Sequence, residues 1–415
     1  MTAGTTSPTQ PVLLREPPRF SRDRVVQAWI GVKALSDAGD AIWTIALAWT
    51  AVQVASPAVA GVVVAAGTVP RALVLLFGGV LADRADARRV MILFNALRVG
   101  VLVGVALWVL AAPPTVLLLA LAAVAFGVCD AFFEPSASTI GRRLVRTEDL
   151  PSYSAVSQTA SRLATMGGAA VGGVLVAGSG LGGSASANAL TFALVIAFVA
   201  IWLRPRFALP RAEKESPWRG IRRGVTHLRG TPTTRTLVLA LSGLNLAVGP
   251  AVGIGIALRA HGAGWGAEAV GALEACIGLG AALGALSVTR WRPRREARAG
   301  FAALVVQGVA IVALGLGPLA SAIAACLVVG VTAGYASALL SATFAGTVDP
   351  AYLGRMASIT RLGDDVLMPL AMAAFGALAS VAPLWVPFAL YGGAMAALMT
   401  VPLRRRLFRE LSLRG

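Results

Sequence analysis

At 415 residues, 57% of them hydrophobic and only 13% charged, the chain is far poorer in charge than an ordinary soluble domain, where roughly a quarter of residues are charged. A water-soluble core could not hide so much apolar surface, so the chain is expected to live in a lipid bilayer. The net charge of +17 would suit a nucleic-acid binder. However, the basic residues recur in small groups between apolar runs and form no basic domain with interleaved aromatics, so no nucleic-acid partner is expected.

The N-terminal residues are rich in Pro and Thr and then basic at Arg15, Arg19, Arg22 and Arg24. They contain no apolar run ending in a small-residue cleavage site, so residues 1–24 read as a cytoplasmic tail rather than a cleaved leader. A membrane helix needs about 20 apolar residues. That ruler places spans at 26–54, 58–79, 89–111, 115–139, 152–177 and 184–203. A polar stretch follows at 204–235, then spans at 236–258, 265–289, 299–317, 319–345, 358–380 and 383–403, and a basic tail at 404–415. The fold class is therefore all-α, with twelve transmembrane helices in two six-helix halves, 25–203 and 236–403. The tight breaks carry the expected turn residues: Ser56-Pro57, Pro113-Pro114, Gly178 to Gly183, Gly317-Pro318 and Ala382-Pro383. Within 204–235, the segment Trp218 to Val225 reads as an amphipathic helix on the inner membrane surface.

Arginine and lysine assign the sides. Thirty of the 36 basic residues fall in the two tails, the turns at 84–89, 142–146 and 290–298, the 204–235 loop and Arg355. Arg259 stands alone in the opposite set of loops. This asymmetry predicts that both termini are cytoplasmic. Near-absence of lysine beside abundant alanine and glycine hints at a bacterial source, so the expected location is the bacterial inner membrane. Cys129, Cys276 and Cys326 lie scattered in apolar runs and read as small buried hydrophobes.

The stretch Gly78 to Arg89 closes span 2 and opens span 3. Gly79, Asp83, Arg84, Arg88 and Arg89 there resemble the Gly-x-x-x-Asp-Arg loop signature of the major facilitator superfamily, with Asp86 where a glycine is usual. Twelve spans and a central loop extend the resemblance over nearly the whole chain. Finer matches are similar to the enterobactin-exporter and macrolide-efflux branch: Gly39-Asp40 followed by Ala46 to Trp49, Phe133-Glu134-Pro135-Ser136-Ala137 with Glu148-Asp149-Leu150, and Leu353-Gly354-Arg355-Met356. In span 5, Gly168, Gly172 and Gly173 resemble the antiporter motif Gly-Pro-x-x-Gly-Gly, with Ala169 in place of proline. The resemblance implies a monomeric secondary transporter that exports a small amphipathic molecule, drug-like or siderophore-like, by alternating access driven by proton entry. An importer of the same fold is the alternative. It also implies a gate built from Gly79, Asp83, Arg84, Arg88, Arg89, Gly168, Gly172 and Gly173.

Ionisable residues inside a bilayer are costly and point to function. The first half carries acids Asp37, Asp40, Asp130 and Glu134 and bases Lys33, Arg71, Arg98 and Arg162. Asp37 and Asp40 share a face of span 1, and Asp130 and Glu134 share a face of span 4. Asp37, Asp130, Arg98 and Arg162 fall at similar depths, roughly 14–18 Å from the cytoplasmic ends of their helices. Cross-helix pairing and a proton relay through these groups are expected. Lys33 can snorkel to the inner interface. In the second half Glu274 is the leading substrate-facing carboxylate, followed by Asn245, Asp364 and Asp365. Arg361 and Asp365, four apart, are spaced to pair. Trp43, Phe132, Phe133, Tyr335 and Phe344 are candidate cavity aromatics. No phosphate-binding Gly-x-x-x-x-Gly-Lys loop, no nucleophile elbow and no metal spacing around His227 and His261 are present. No cofactor, metal or enzymatic activity is expected.

Overall fold

The computed structural model describes residues 18–70, 86–207 and 217–404. The helices are α1 (Arg24–Val54), α2 (Pro57–Ala66), α3 (Ala87–Ala111), α4 (Val116–Leu144), α5 (Leu150–Ile201) and α6 (Pro217–Gly230). They continue as α7 (Pro232–Pro250), α8 (Ile256–Gly262), α9 (Ala267–Arg290), α10 (Glu296–Leu314), α11 (Leu319–Thr347), α12 (Pro350–Val381) and α13 (Trp385–Arg404).

Local chemistry sets the ends. Asp23 caps α1 by accepting from the backbone N–H groups of Val25 and Val26 at 3.1 and 3.2 Å. Asp86 caps α3 through Arg88 N–H, and Thr115 caps α4 through Leu118 N–H. These side chains satisfy donors that a helix start would otherwise leave bare. Pro57 and Pro232 each sit in the first turn of their helices, where no donor is needed. The run α5 breaks at Gly180, whose φ of 63° and ψ of −160° lie outside helical space. Only glycine adopts that geometry without strain, so α5 is two antiparallel spans, as the glycine-rich stretch predicts.

Nine helical segments among the described residues are long and apolar enough to cross a bilayer. The one containing α5 crosses twice, and α7, the following π-turn and α8 make one crossing. The 31-residue α1 is long enough but interrupted by Lys33, Asp37 and Asp40, and the apolar α2 begins span 2. The total is twelve crossings. Large side chains such as Leu107, Leu110, Leu117, Leu121 and Val381 are 61–84% exposed, a surface that hydrocarbon accepts and water would not. Two helix starts fall earlier than hydropathy places them. Pro232 starts span 7, taking Arg235 into the helix, and Pro350 starts span 11 eight residues early. Proline permits an early start, which a hydropathy window cannot register.

The six spans of each half pack mainly on one another. The halves meet along two seams: span 5 against α9, and α2 against α12. Both seams are backbone-to-backbone. A Cβ on Gly271 would lie 2.9 Å from the Cα of Gly173, and one on Gly376 would lie 3.0 Å from the Cα of Gly61. Small residues allow such approach where lipid supplies no hydrophobic drive. Both seams, and an edge contact between Trp49 and His261 at 5.9 Å, lie away from the arginine-rich loops. Toward those loops, Ser154, Gln158, Arg162 and Thr165 form an exposed polar stripe on span 5 at roughly fourfold spacing. Lipid would penalise that stripe, so it faces a water-filled gap between the halves.

The arginine-rich end of the first half is tied down by polar contacts. Asp23, only 3% exposed, pairs with Arg206 after span 6. Arg143 donates to the Phe207 carbonyl at 2.9 Å, and Phe20 N–H donates to Asp149. Within the central segment, α6 rests on span 11 through a stack of His227 on Tyr352 at 4.0 Å.

Candidate functional site: a charged cluster and a mid-membrane cavity

In the first half, spans 1, 3, 4 and 5 bring the expected charges together. Lys33 Nζ donates to Asp37 at 3.0 Å and lies 3.8 Å from Glu134 on span 4. Ser161 on span 5 donates to the other Asp37 oxygen at 2.5 Å. Arg98 pairs with Asp130 and is itself only 1% exposed. Its guanidinium lies over the rings of Phe133 and Phe192 at 4.7 and 4.8 Å, a placement that partly replaces lost hydration. Asp130 is therefore held by an arginine, and Asp37 by a lysine and a hydroxyl.

Asp40 differs. It is half-buried and forms no side-chain hydrogen bond or ion pair among the described residues, while Arg98, Asp37, Glu134 and Lys33 act on it through space. Span 5 explains why span 1 can place it there. Gly168 abuts the backbone of Ala38, and Gly172 lies against Ile42. The span-5 glycines thus have two jobs. Gly168 and Gly172 seat span 1, and Gly173 forms the seam with the other half.

The remaining first-half candidates are placed as follows. Arg162 is exposed on the polar stripe, away from the cluster, with no ion pair among the described residues. Arg88 donates from Nε to the Val199 carbonyl at 2.9 Å and from Nη2 to the Ala200 carbonyl. It thereby caps span 6, where a cation suits the helix end. Arg89 faces Asp86 at 3.8 Å. Arg71, Gly79, Asp83 and Arg84 lie outside the described residues. Trp43 is 4% exposed and stacks on Phe126 at 5.1 Å. Phe133 is 1% exposed beneath Arg98. Both build the first-half core.

In the second half a cavity of about 440 Å³ opens near the membrane centre. It is lined by Thr68 of span 2, by Asn245, Val248, Gly249, Val252 and Gly253 of span 7, by Ile277 of span 8, and by Asp364, Asp365 and Met368 of span 11. Span 7 is irregular at this point. Pro250 cannot donate to the carbonyl four residues back, and a π-turn at Ala251–Gly255 follows. Broken ladders of this kind mark binding sites in membrane helices. Asn245 Nδ2 donates to Asp364 Oδ2 at 2.6 Å. Asp364 Oδ1 is buried without a partner. Glu274, one turn before Ile277, is half-buried with no hydrogen bond or ion pair among the described residues. Tyr335 is half-buried beside the Gly284 contact between spans 8 and 10. The π-turn had no sequence reading, although Pro250 with Gly249, Gly253 and Gly255 signalled a break. No metal-holding cluster of His, Cys, Asp and Glu occurs among the described residues.

Comparison with known proteins agrees with this architecture. The family model for the Major Facilitator Superfamily matches residues 31–372. Enterobactin exporter EntS of Shigella dysenteriae serotype 1 (strain Sd197) is 30% identical over 251 residues, covering 58% of this chain and 57% of the relative. The same exporter from Escherichia coli O139:H28 (strain E24377A / ETEC) gives the same identity and coverage. The chain thus aligns over a little more than half the length of these curated relatives. Among solved structures, a POT family transporter in complex with 5-aminolevulinic acid has a TM-score of 0.72 at 12% identity, covering 95% of this chain and 97% of that one. Nucleoside transporter NupG has a TM-score of 0.67 at 11% identity, covering 91% and 98%. The human organic anion transporter MFSD10 (TETRAN) has a TM-score of 0.62 at 17% identity, covering 91% and 98%. These last likenesses concern the fold alone. With a family match across most of its length and twelve crossings in two halves, the chain belongs to the major facilitator superfamily and is a multi-pass membrane protein.

Proposed function

We propose that the protein is a proton-coupled exporter of a small amphipathic molecule in the bacterial inner membrane, working as a monomer by alternating access. The observation that carries the coupling is the environment of Asp40. Among the described residues each neighbouring acid of its cluster is engaged by a cation, and Asp40 is not. A half-buried carboxylate beside cations gains or loses its proton when a change of conformation moves those cations. Rocking of the two halves then couples that proton to the cavity's exposure. The arginine-rich loops belong at the cytoplasm, with both termini there. With the arginine-rich end taken as cytoplasmic, seams closed at the other end correspond to an inward-open state. Export is supported by the likeness to enterobactin exporters.

The test is flux of candidate compounds in inverted vesicles under an imposed pH gradient. Gradient-driven accumulation is expected in vesicles bearing the native protein. Asp40→Asn should abolish gradient-driven flux yet retain gradient-independent exchange of substrate across the membrane. Gradient-driven flux that survives Asp40→Asn would remove Asp40 from the relay, and release instead of accumulation would make the protein an importer. Topology is checked separately. A cysteine replacing Trp291, which is 74% exposed in the 290–298 turn, should react with an impermeant maleimide in inverted vesicles and stay protected in intact cells.

A further inference from the structure

We propose that the second-half cavity selects organic cations: its ligand carries an amine, amidinium or onium centre on a compact apolar body. This rests on the transporter reading above and adds the charge class of the substrate.

The polar groups of the cavity point one way. Asp364 Oδ1 is buried and accepts from no donor among the described residues, while Asp364 Oδ2 already accepts from Asn245 Nδ2 at 2.6 Å. Asn245 spends that amide hydrogen on the carboxylate and so orients its own carbonyl oxygen as a further acceptor. Asp365 lines the same space. Among the described residues the first half contributes Thr68, whose hydroxyl donates to its own helix at the Ala65 carbonyl, 2.8 Å away. Among the described residues no basic side chain lines the cavity. A carboxylate oxygen buried without a donor is expensive. An anionic ligand would raise that cost, a neutral one would leave it, and a cation removes it.

The nearest basic candidate on span 7 is committed elsewhere. Arg259, at the far end of the span, donates to the Gly317 carbonyl at 2.5 Å and lies over Trp265 at 4.8 Å. The rest of the lining is apolar and adaptable. Val248, Val252 and Ile277 form one wall. Gly249 and Gly253 leave room for Met368 and Met372, whose terminal methyls would lie 2.6 and 2.8 Å from a Cβ at those glycines. Flexible thioethers refit around bodies of different shape. About 440 Å³ suits one drug-sized molecule. Charge selection therefore comes from the Asp364 carboxylate, with Asp365 beside it, and shape tolerance from the methionines.

Purified full-length protein in nanodiscs, without any gradient, is tested by equilibrium dialysis against tetraphenylphosphonium and tetraphenylborate, which share shape and differ in sign. Saturable binding of the phosphonium, at least about tenfold tighter than the borate, is expected. Asp364→Asn, nearly isosteric, should weaken the phosphonium at least about tenfold with the unfolding midpoint held, and Asp364→Glu should restore most of it. Equal binding of the two ions by the native protein overturns the proposal without any variant. So does undiminished phosphonium binding by a folded Asp364→Asn. Gradient-driven flux is measured separately. Charge-selective binding without such flux would sink the transport mechanism alone, and flux without charge selection would sink this inference alone.

Discussion

Gly271→Leu is expected to lower transport by about 100-fold while leaving the purified protein folded. At Gly271 even a Cβ would sit 2.9 Å from the Cα and N of Gly173, and closer still to the Ala169 carbonyl. All three atoms are backbone, so no rotamer change relieves the clash. The halves must separate along this seam, which selectively penalises the state closed at that end. A penalty of about 3 kcal/mol shifts a two-state ratio by roughly 100-fold. Spin labels at Val54 and Val381, near that end on opposite halves, should report a longer distance in the variant. The control is Gly100→Leu, because nothing lies within 4 Å of a Cβ built there. Unchanged label distances and normal flux in Gly271→Leu would show that closure does not depend on the glycine seam.

Arg98→Ala should be the most destabilising single change in the charged cluster, by roughly 3–5 kcal/mol, the usual result of breaking a buried ion pair. Arg98 is 1% exposed, holds Asp130 and fills the space above Phe133 and Phe192. Truncation leaves a void where the buried side chain lay and strips the partly exposed Asp130, at 38%, of its partner. Arg98→Lys should recover little, because a point charge on a flexible stem cannot lie flat on two rings. Asp40→Asn, by contrast, breaks no contact among the described residues and should cost less than about 1 kcal/mol. Chemical unfolding in micelles, read by tryptophan fluorescence, separates the two. If Asp40→Asn proves as damaging as Arg98→Ala, Asp40 is a structural charge and its role as the coupling acid is lost.

The contrast between these residues marks how far the sequence could be read. Spacing alone put Asp37, Asp130 and Arg98 at one depth, and the structure pairs Arg98 with Asp130 and Lys33 with Asp37. Depth along a helix follows from a constant rise per residue. Rotation about the helix axis does not, and Arg162, at the same depth, points to the inter-half gap instead. By sequence Trp43 and Phe133 can line a cavity or face lipid, because aromatics suit both. Only their neighbours, Phe126 and Arg98, assign them to the core. Gly168, Gly172 and Gly173 read as one motif, yet they serve two different contacts, since neighbouring residues on a helix face different directions.

What the sequence determined by itself was the medium, the number of crossings, the side on which the arginines gather and the family. The first three depend on composition summed along the chain, where apolar length and basic loops add up without regard to partners, and the family on short motifs read in order. The tertiary structure alone decided which acids of the first-half cluster are paired with Lys33 and Arg98, which glycines touch across the halves, and that a carboxylate of span 11 and an amide of span 7 share one chamber. Those outcomes depend on the relative rotation and approach of helices far apart in sequence, which packing fixes and no local pattern encodes.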